Sequence, residues 1–141
     1  MKNPKRGWLI GFGAIACMAL TGCVSMSTGG LEVVASEGGT PTVHVDDTFF
    51  AQHVAVEDVR SQRTAEGYLA VSVRVRNKYS KDFPIQYKFT WFDANGMEVQ
   101  PNGRPWEQVT LHGGESVPLS ATGPEPTVVR FVVRARRMTN E

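Results

Sequence analysis

Few side chains in this 141-residue sequence have types and spacing suited to chemistry: three histidines, two cysteines, and two adjacent acidic pairs. His44, His53 and His112 would serve as metal ligands or acid–base groups. Zinc sites set histidines at helical spacing or beside paired cysteines, and these three fit neither pattern. No metal site and no cofactor is expected. Asp46-Asp47 and Glu57-Asp58 would offer paired carboxylates for acid–base cleavage of a glycosidic bond. Neighbours in a strand point to opposite faces, so neither pair presents both carboxylates to one substrate. Asp93, before Ala94-Asn95-Gly96, suits capping of its turn better than service as a base. "HGGES" at 112–116 has the glycine pair of an oxyanion hole, but it precedes an alternating stretch and reads as a hairpin turn. No Gly-x-Ser-x-Gly elbow is present.

The sulfur of Cys23 has the clearest assignment. Residues 1–22 hold Lys2, Lys5 and Arg6 and no acid, then an apolar run from Trp8 to Leu20. Thirteen residues fall short of the roughly 20 that a membrane-spanning helix needs. A basic start followed by a short apolar run is the layout of a secretory signal. Leu20-Thr21-Gly22-Cys23 then resembles a bacterial lipobox, cut between Gly22 and Cys23. Small residues let the backbone enter a protease cleft, and a thiolate is the nucleophile that accepts a lipid. Cys17 leaves with the signal, so the mature chain keeps one cysteine and no internal disulfide. Several acyl chains on one residue, at about 0.8 kcal/mol per buried CH₂, make a lasting anchor. Val24 follows the cysteine where aspartate would resemble an inner-membrane retention signal, so the expected location is the periplasmic face of the outer membrane.

Cleavage shifts the formal charge from +1 to −2, which gives no reason to expect nucleic acid as a partner. Binding is better served by arginine. Arg74 and Arg76 lie on one side of a predicted strand, and Arg130, Arg134 and Arg136 on one side of another. In a shared sheet their guanidinium groups would form a strip for phosphates or carboxylates, such as anionic lipid, peptidoglycan or an envelope protein would present. Trp106, after "NGRP", would serve as an interface anchor.

The elements that must position these groups are strands. "YLAVSVRVR" alternates Leu69, Val71, Val73 and Val75 against Ala70, Ser72, Arg74 and Arg76. "IQYKFTWFD" sets Ile85, Tyr87, Phe89 and Trp91 against Gln86, Lys88, Thr90 and Phe92. "VVRFVVRAR" repeats the pattern around Phe131 and Val133. Period-two alternation of this length marks half-buried strands. Asn95-Gly96 is a hairpin signal. About seven strands are expected: 42–46, 54–63, 67–78, 84–93, 96–99 with 106–111, 115–121 and 127–136. No helix is expected after residue 41. The division is a signal at 1–22, a tether at 23–41, one all-β domain at 42–137 and a tail at 138–141. The Ser/Gly-rich tether, broken only by "LEVVA", would span roughly 20–25 Å.

"IQYKFTWFDANGMEVQP", "RPWEQVTLHGGESVPLSA" and "VVRFVVRAR" together resemble the YcfL family of small bacterial lipoproteins, over about 42–136. The resemblance implies an immunoglobulin-like antiparallel β-sandwich, no catalytic residues and no cofactor. The expectation is a non-catalytic binding or scaffolding module, held by lipid to the outer membrane and acting in envelope or cell-wall assembly. A competing expectation is a periplasmic hydrolase or glycan-modifying enzyme, in which His112 and Glu115 would converge in a cleft. A third is a stabilising subunit with an exposed apolar patch around Trp106 or Phe49.

Overall fold

In the computed structural model, the described residues are 30–102 and 104–138. Cys23 and Gly22 lie outside them, as do residues 139–141 of the expected tail. Nine strands and one short helix run in the order β1 (Leu31–Ser36), β2 (Thr42–Val45), α1 (Thr48–His53), β3 (Val54–Arg63), β4 (Leu69–Asn77), β5 (Phe83–Asp93), β6 (Glu98–Val99), β7 (Glu107–Leu111), β8 (Ser116–Thr122) and β9 (Val128–Arg137). They form two antiparallel sheets. The larger has the order β2-β1-β9-β5-β6, with β7 also on β5, and the smaller has the order β3-β4-β8.

Alternation explains the packing. Val71, Val73 and Val75 of β4 meet Ile85, Phe89 and Trp91 of β5 and Phe131, Val133 and Ala135 of β9 in one buried cluster. The fold is an all-β sandwich. Trp91 stacks on Phe89 at 5.5 Å between centroids and contacts Phe131 at 6.3 Å. Burying such an indole contributes about 4–6 kcal/mol of transfer free energy before entropy is counted. In immunoglobulin terms, β3, β4 and β8 take the places of strands A, B and E, while β5 and β9 take those of C and F. The place beside F, normally filled by a later strand, is filled here by β1.

That strand departs from expectation. "LEVVA" is no loose patch in a tether; it pairs along its length with β9, Leu31 opposite Ala135 and Ala35 opposite Phe131, and with β2 on its other side. Leu31, Val33 and Ala35 are buried, 0–5 % exposed. Alternation lasts only five residues there, too short to stand out from the Ser/Gly-rich surroundings. The helix α1 is a second departure. It is a six-residue turn whose N-cap Asp47 accepts from the Phe50 N–H at 3.1 Å, and it drops Phe50 into the core. One turn is too short to show a 3.6-residue period.

Two glycines are fixed by geometry. Gly96 takes φ +77° in the Asn-Gly hairpin before β6. Gly113 packs so tightly on the carbonyl of Ser80 that a Cβ would lie 2.4 Å from its oxygen. Nearby, fully buried Asn77 ties the loop after β4 to the end of β7. Its amide donates to the carbonyls of Lys81 (2.9 Å) and Leu111 (3.0 Å), and its Oδ1 accepts from the Tyr79 N–H (2.8 Å).

Candidate functional site

The arginines do not form one strip. β9 belongs to the larger sheet and β4 to the smaller, so Arg130, Arg134 and Arg136 face away from the sandwich on one side and Arg74 and Arg76 on the other. Parity within each strand is as expected; the sheet in which a strand lies depends on partners far away in the chain.

On the larger sheet, cross-strand register sets Arg130 beside Phe92 and Ser36, Arg134 beside Lys88 and Glu32, and Arg136 beside Gln86. Each guanidinium is braced by the sheet itself. Arg130 lies 4.5 Å over the Phe92 ring, and its Nε is buried with no acceptor. Arg134 Nε donates to Glu32 Oε2 at 2.6 Å. Arg136 Nε donates to Gln86 Oε1 at 3.0 Å, and its guanidinium sits 4.0 Å over the Trp106 ring. Trp106 is therefore half-buried against an arginine of its own chain, not a free anchor. Val132 also lies on this outer face, yet it is only 4 % exposed. Its register neighbours are Val34 and Thr90, and Arg130 and Arg134 flank it on the same face of β9, where arginine stems suit the covering of apolar surface. The result is a cationic surface on an apolar floor, with stacked rings at its two ends. Lys88 has no partner among the described residues.

The smaller sheet presents a different surface. A broad, open depression of about 980 Å³ lies over it, lined by Asp58, Arg60, Ser72, Arg74, Ser120 and Thr122 among others. Arg60 Nε pairs with Asp58 at 2.5 Å, and Ser120 donates to Ser72 at 3.2 Å. A register shift between Val56 and Asp58 sets Glu57 outside the ladder, where it accepts from Ser116 at 2.8 Å and reaches Arg76 at 3.8 Å. Such exposed pairs are worth roughly 0–1 kcal/mol. Arg74 has no partner among the described residues.

The histidines are scattered. His44 is exposed on β2. His53 stacks on Phe49 at 4.2 Å, with Nδ1 2.8 Å from the Phe49 carbonyl. His112 pairs with Asp82, Nδ1 to Oδ2 2.9 Å, and not with Glu115, the partner the competing hydrolase reading calls for; the Glu115 N–H donates to the His112 carbonyl. The Gly113 N–H donates to the other Asp82 oxygen at 2.9 Å. The hydrogen bond to Asp82, its charge, and that of Glu115 hold the imidazole above its usual range. The same bond and the Gly113 N–H hold Asp82 below the carboxylate range. An oriented imidazole is half of a hydrolytic constellation, but among the described residues no hydroxyl or thiol bonds its second nitrogen. Both side chains are more than half exposed, 56 % and 58 %. Among the described residues no group of three His, Cys, Asp or Glu side chains is placed to hold a metal ion.

Trp106 and Phe49 carry no exposed apolar patch. Phe49 is packed under Arg137 (4.6 Å) and against Phe83 (4.9 Å). Among the described residues the exposed large apolar side chains are Val43, Val45 and Met97. Sequence reasoning missed Asp82, Glu32 and Asn77, each of which acts on residues distant in the chain. An asparagine ending an alternating apolar strand was the one local hint.

A DUF1425 family member from Shewanella sp. pv-4 is 32 % identical, with a TM-score of 0.56 over 82 % of this chain and 94 % of that one. Campylobacter jejuni cj0090, at 18 % identity and a TM-score of 0.54 over 59 % of this chain and 85 % of that one, shares the fold alone. No curated protein matches. Residues 41–137, which include every strand from β2 to β9, match the family described as protein of unknown function (DUF1425), and the chain belongs to that family.

Proposed function

We propose that this chain is a YcfL-type, outer-membrane-anchored periplasmic lipoprotein whose sandwich is a non-catalytic binding or scaffolding module, with the outer face of the larger sheet as its contact surface. The observation that carries the reading is the row Arg130, Arg134, Arg136 and Lys88. A sheet face that needs only solubility has no use for guanidinium groups stacked on Phe92 and Trp106, because stacking fixes their direction. With Nε buried in Arg130 and bonded within the sheet in Arg134 and Arg136, the terminal guanidinium nitrogens are what each side chain has left for carboxylates or phosphates, and guanidinium is the group best matched to both. Support for the anchor comes from the lipobox, Leu20 to Cys23.

Two experiments test it. Cys23→Ser should abolish acylation and release the protein from envelopes; a variant that is still processed and still pelleted removes the anchor. Crosslinking of the lipidated protein in intact envelopes should recover an anionic envelope component. The double variant Arg130→Glu with Lys88→Glu should lose it, and undiminished recovery would remove this face as the contact surface.

A further inference from the structure

The strand next to the anchor's exit is the one that displays apolar side chains to solvent. Val43 and Val45 are 43 % and 41 % exposed. In register they pair with Val33 and Leu31, which are buried, so all four point to the inward side of the larger sheet. The smaller sheet has three strands, and β2 carries its two valines beyond the cover that β1 enjoys. The described residues begin at this spot. The Gly30 N–H donates to Asp46 Oδ1 at 2.7 Å, and the Asp46 N–H returns a bond to the Gly30 carbonyl at 3.1 Å. Gly30 is thereby pinned to the residue that follows Val45.

Only six residues, Val24 to Gly29, separate Cys23 from that point. Fully extended, the connection reaches at most about 25 Å. Ten-residue strands span about 33 Å. The β1–β2 hairpin at Gly38–Gly39 lies at the opposite end of β1 from the exit. Two cations stand at the exit end as well: Arg137, 3.8 Å from Asp47, and Lys78, whose Nζ donates to the Ala51 carbonyl of α1.

Resting on the lipid-anchor reading, we infer that the β2 edge, with Val43, Val45 and the exit at Gly30, is laid against the lipid headgroups of the membrane that holds the anchor. The arginine face and the depression on the smaller sheet then stand upright, open to partners from the side. A second copy of the chain is a poorer occupant. β2 has four residues, with Pro41 before it and Asp46-Asp47 after it, a blunted edge. Pairing two such strands falls well short of the roughly 1,200 Å² that a stable interface buries.

The test uses the full lipidated protein in vesicles of phosphatidylethanolamine and phosphatidylglycerol. Single thiols are introduced by Val45→Cys at the edge and Thr122→Cys on the smaller sheet, each labelled with an environment-sensitive fluorophore. Headgroup spin-labelled lipid should quench the label at 45 several-fold more than that at 122. Equal quenching while the protein stays vesicle-bound overturns the orientation and leaves the anchor intact. Failure to bind vesicles at all overturns the anchor instead. Shielding at 45 that disappears below one protein per vesicle assigns the edge to a second copy and also overturns the proposal.

Discussion

Replacing Asn77 should cost more stability than any surface change in this domain. Its side chain is fully buried and makes three bonds to backbone groups of Lys81, Leu111 and Tyr79. Alanine strands all three. A buried group left without a partner costs about 1–3 kcal/mol. The Leu111 carbonyl takes the larger share, since the bonds to Lys81 and Tyr79 are only partly buried and water can replace them in part. The total for Asn77→Ala is about 3–4 kcal/mol, against a stability of about 5–15 kcal/mol for a domain of this kind. With a urea slope near 2 kcal/mol/M, the unfolding midpoint should fall by about 1.5–2 M. Asn77→Asp keeps the shape but turns an oxygen toward two carbonyl oxygens, so its folded-state pKa must rise. Stability from the protonated form is then fully present below the unfolded value near 3.9, and is lost as pH climbs toward the folded value, at about 1.4 kcal/mol per unit. Urea unfolding, followed through the fluorescence of buried Trp91, measures both variants across pH. A loss below 1 kcal/mol for alanine, or a pH-independent aspartate variant, would refute the accounting.

Other expectations follow from the same end of the sandwich. His112 should titrate above 6.5 in an NMR pH series, and Asp82→Asn should bring it down; the mutual stabilisation of the pair is present between the Asp82 and His112 transitions and is lost on either side, as His112 deprotonates above or Asp82 protonates below. An unchanged His112 curve in the variant would contradict the contact. Tyr87, pushed up to about 12 by burial and then by its bond to Glu107 (2.8 Å), should ionise earlier in ultraviolet titration once Glu107→Gln removes the adjacent charge. Gly113→Ala should lower the melting temperature by forcing the 78–82 loop off the Ser80 contact, and a melt within a degree of the parent would show that the loop yields freely.

The strands were legible because β4, β5 and β9 alternate over nine or more residues, enough for period two to dominate. What escaped was set by partners distant in the chain. Nothing local marks "LEVVA" as the neighbour of β9, and nothing in the parity of Arg74 or Arg130 tells which sheet each strand joins. Asp82 and His112 are 30 residues apart and meet only because Asn77 and Gly113 draw two loops together. The helix α1 left one readable mark, Asp47 before Thr48, which is an N-cap without enough helix behind it to be noticed.

The seam between β1 and β9 has a consequence for how the chain is made. Residues 31–36 must wait for residues 130–135, roughly a hundred positions further along the chain, before the sheet has a centre. Until then β1 has β2 alone for a neighbour, and its other edge stands open. Deleting residues 130–135 would accordingly deny the first strand its longer companion and leave the larger sheet's half of the core without a keystone.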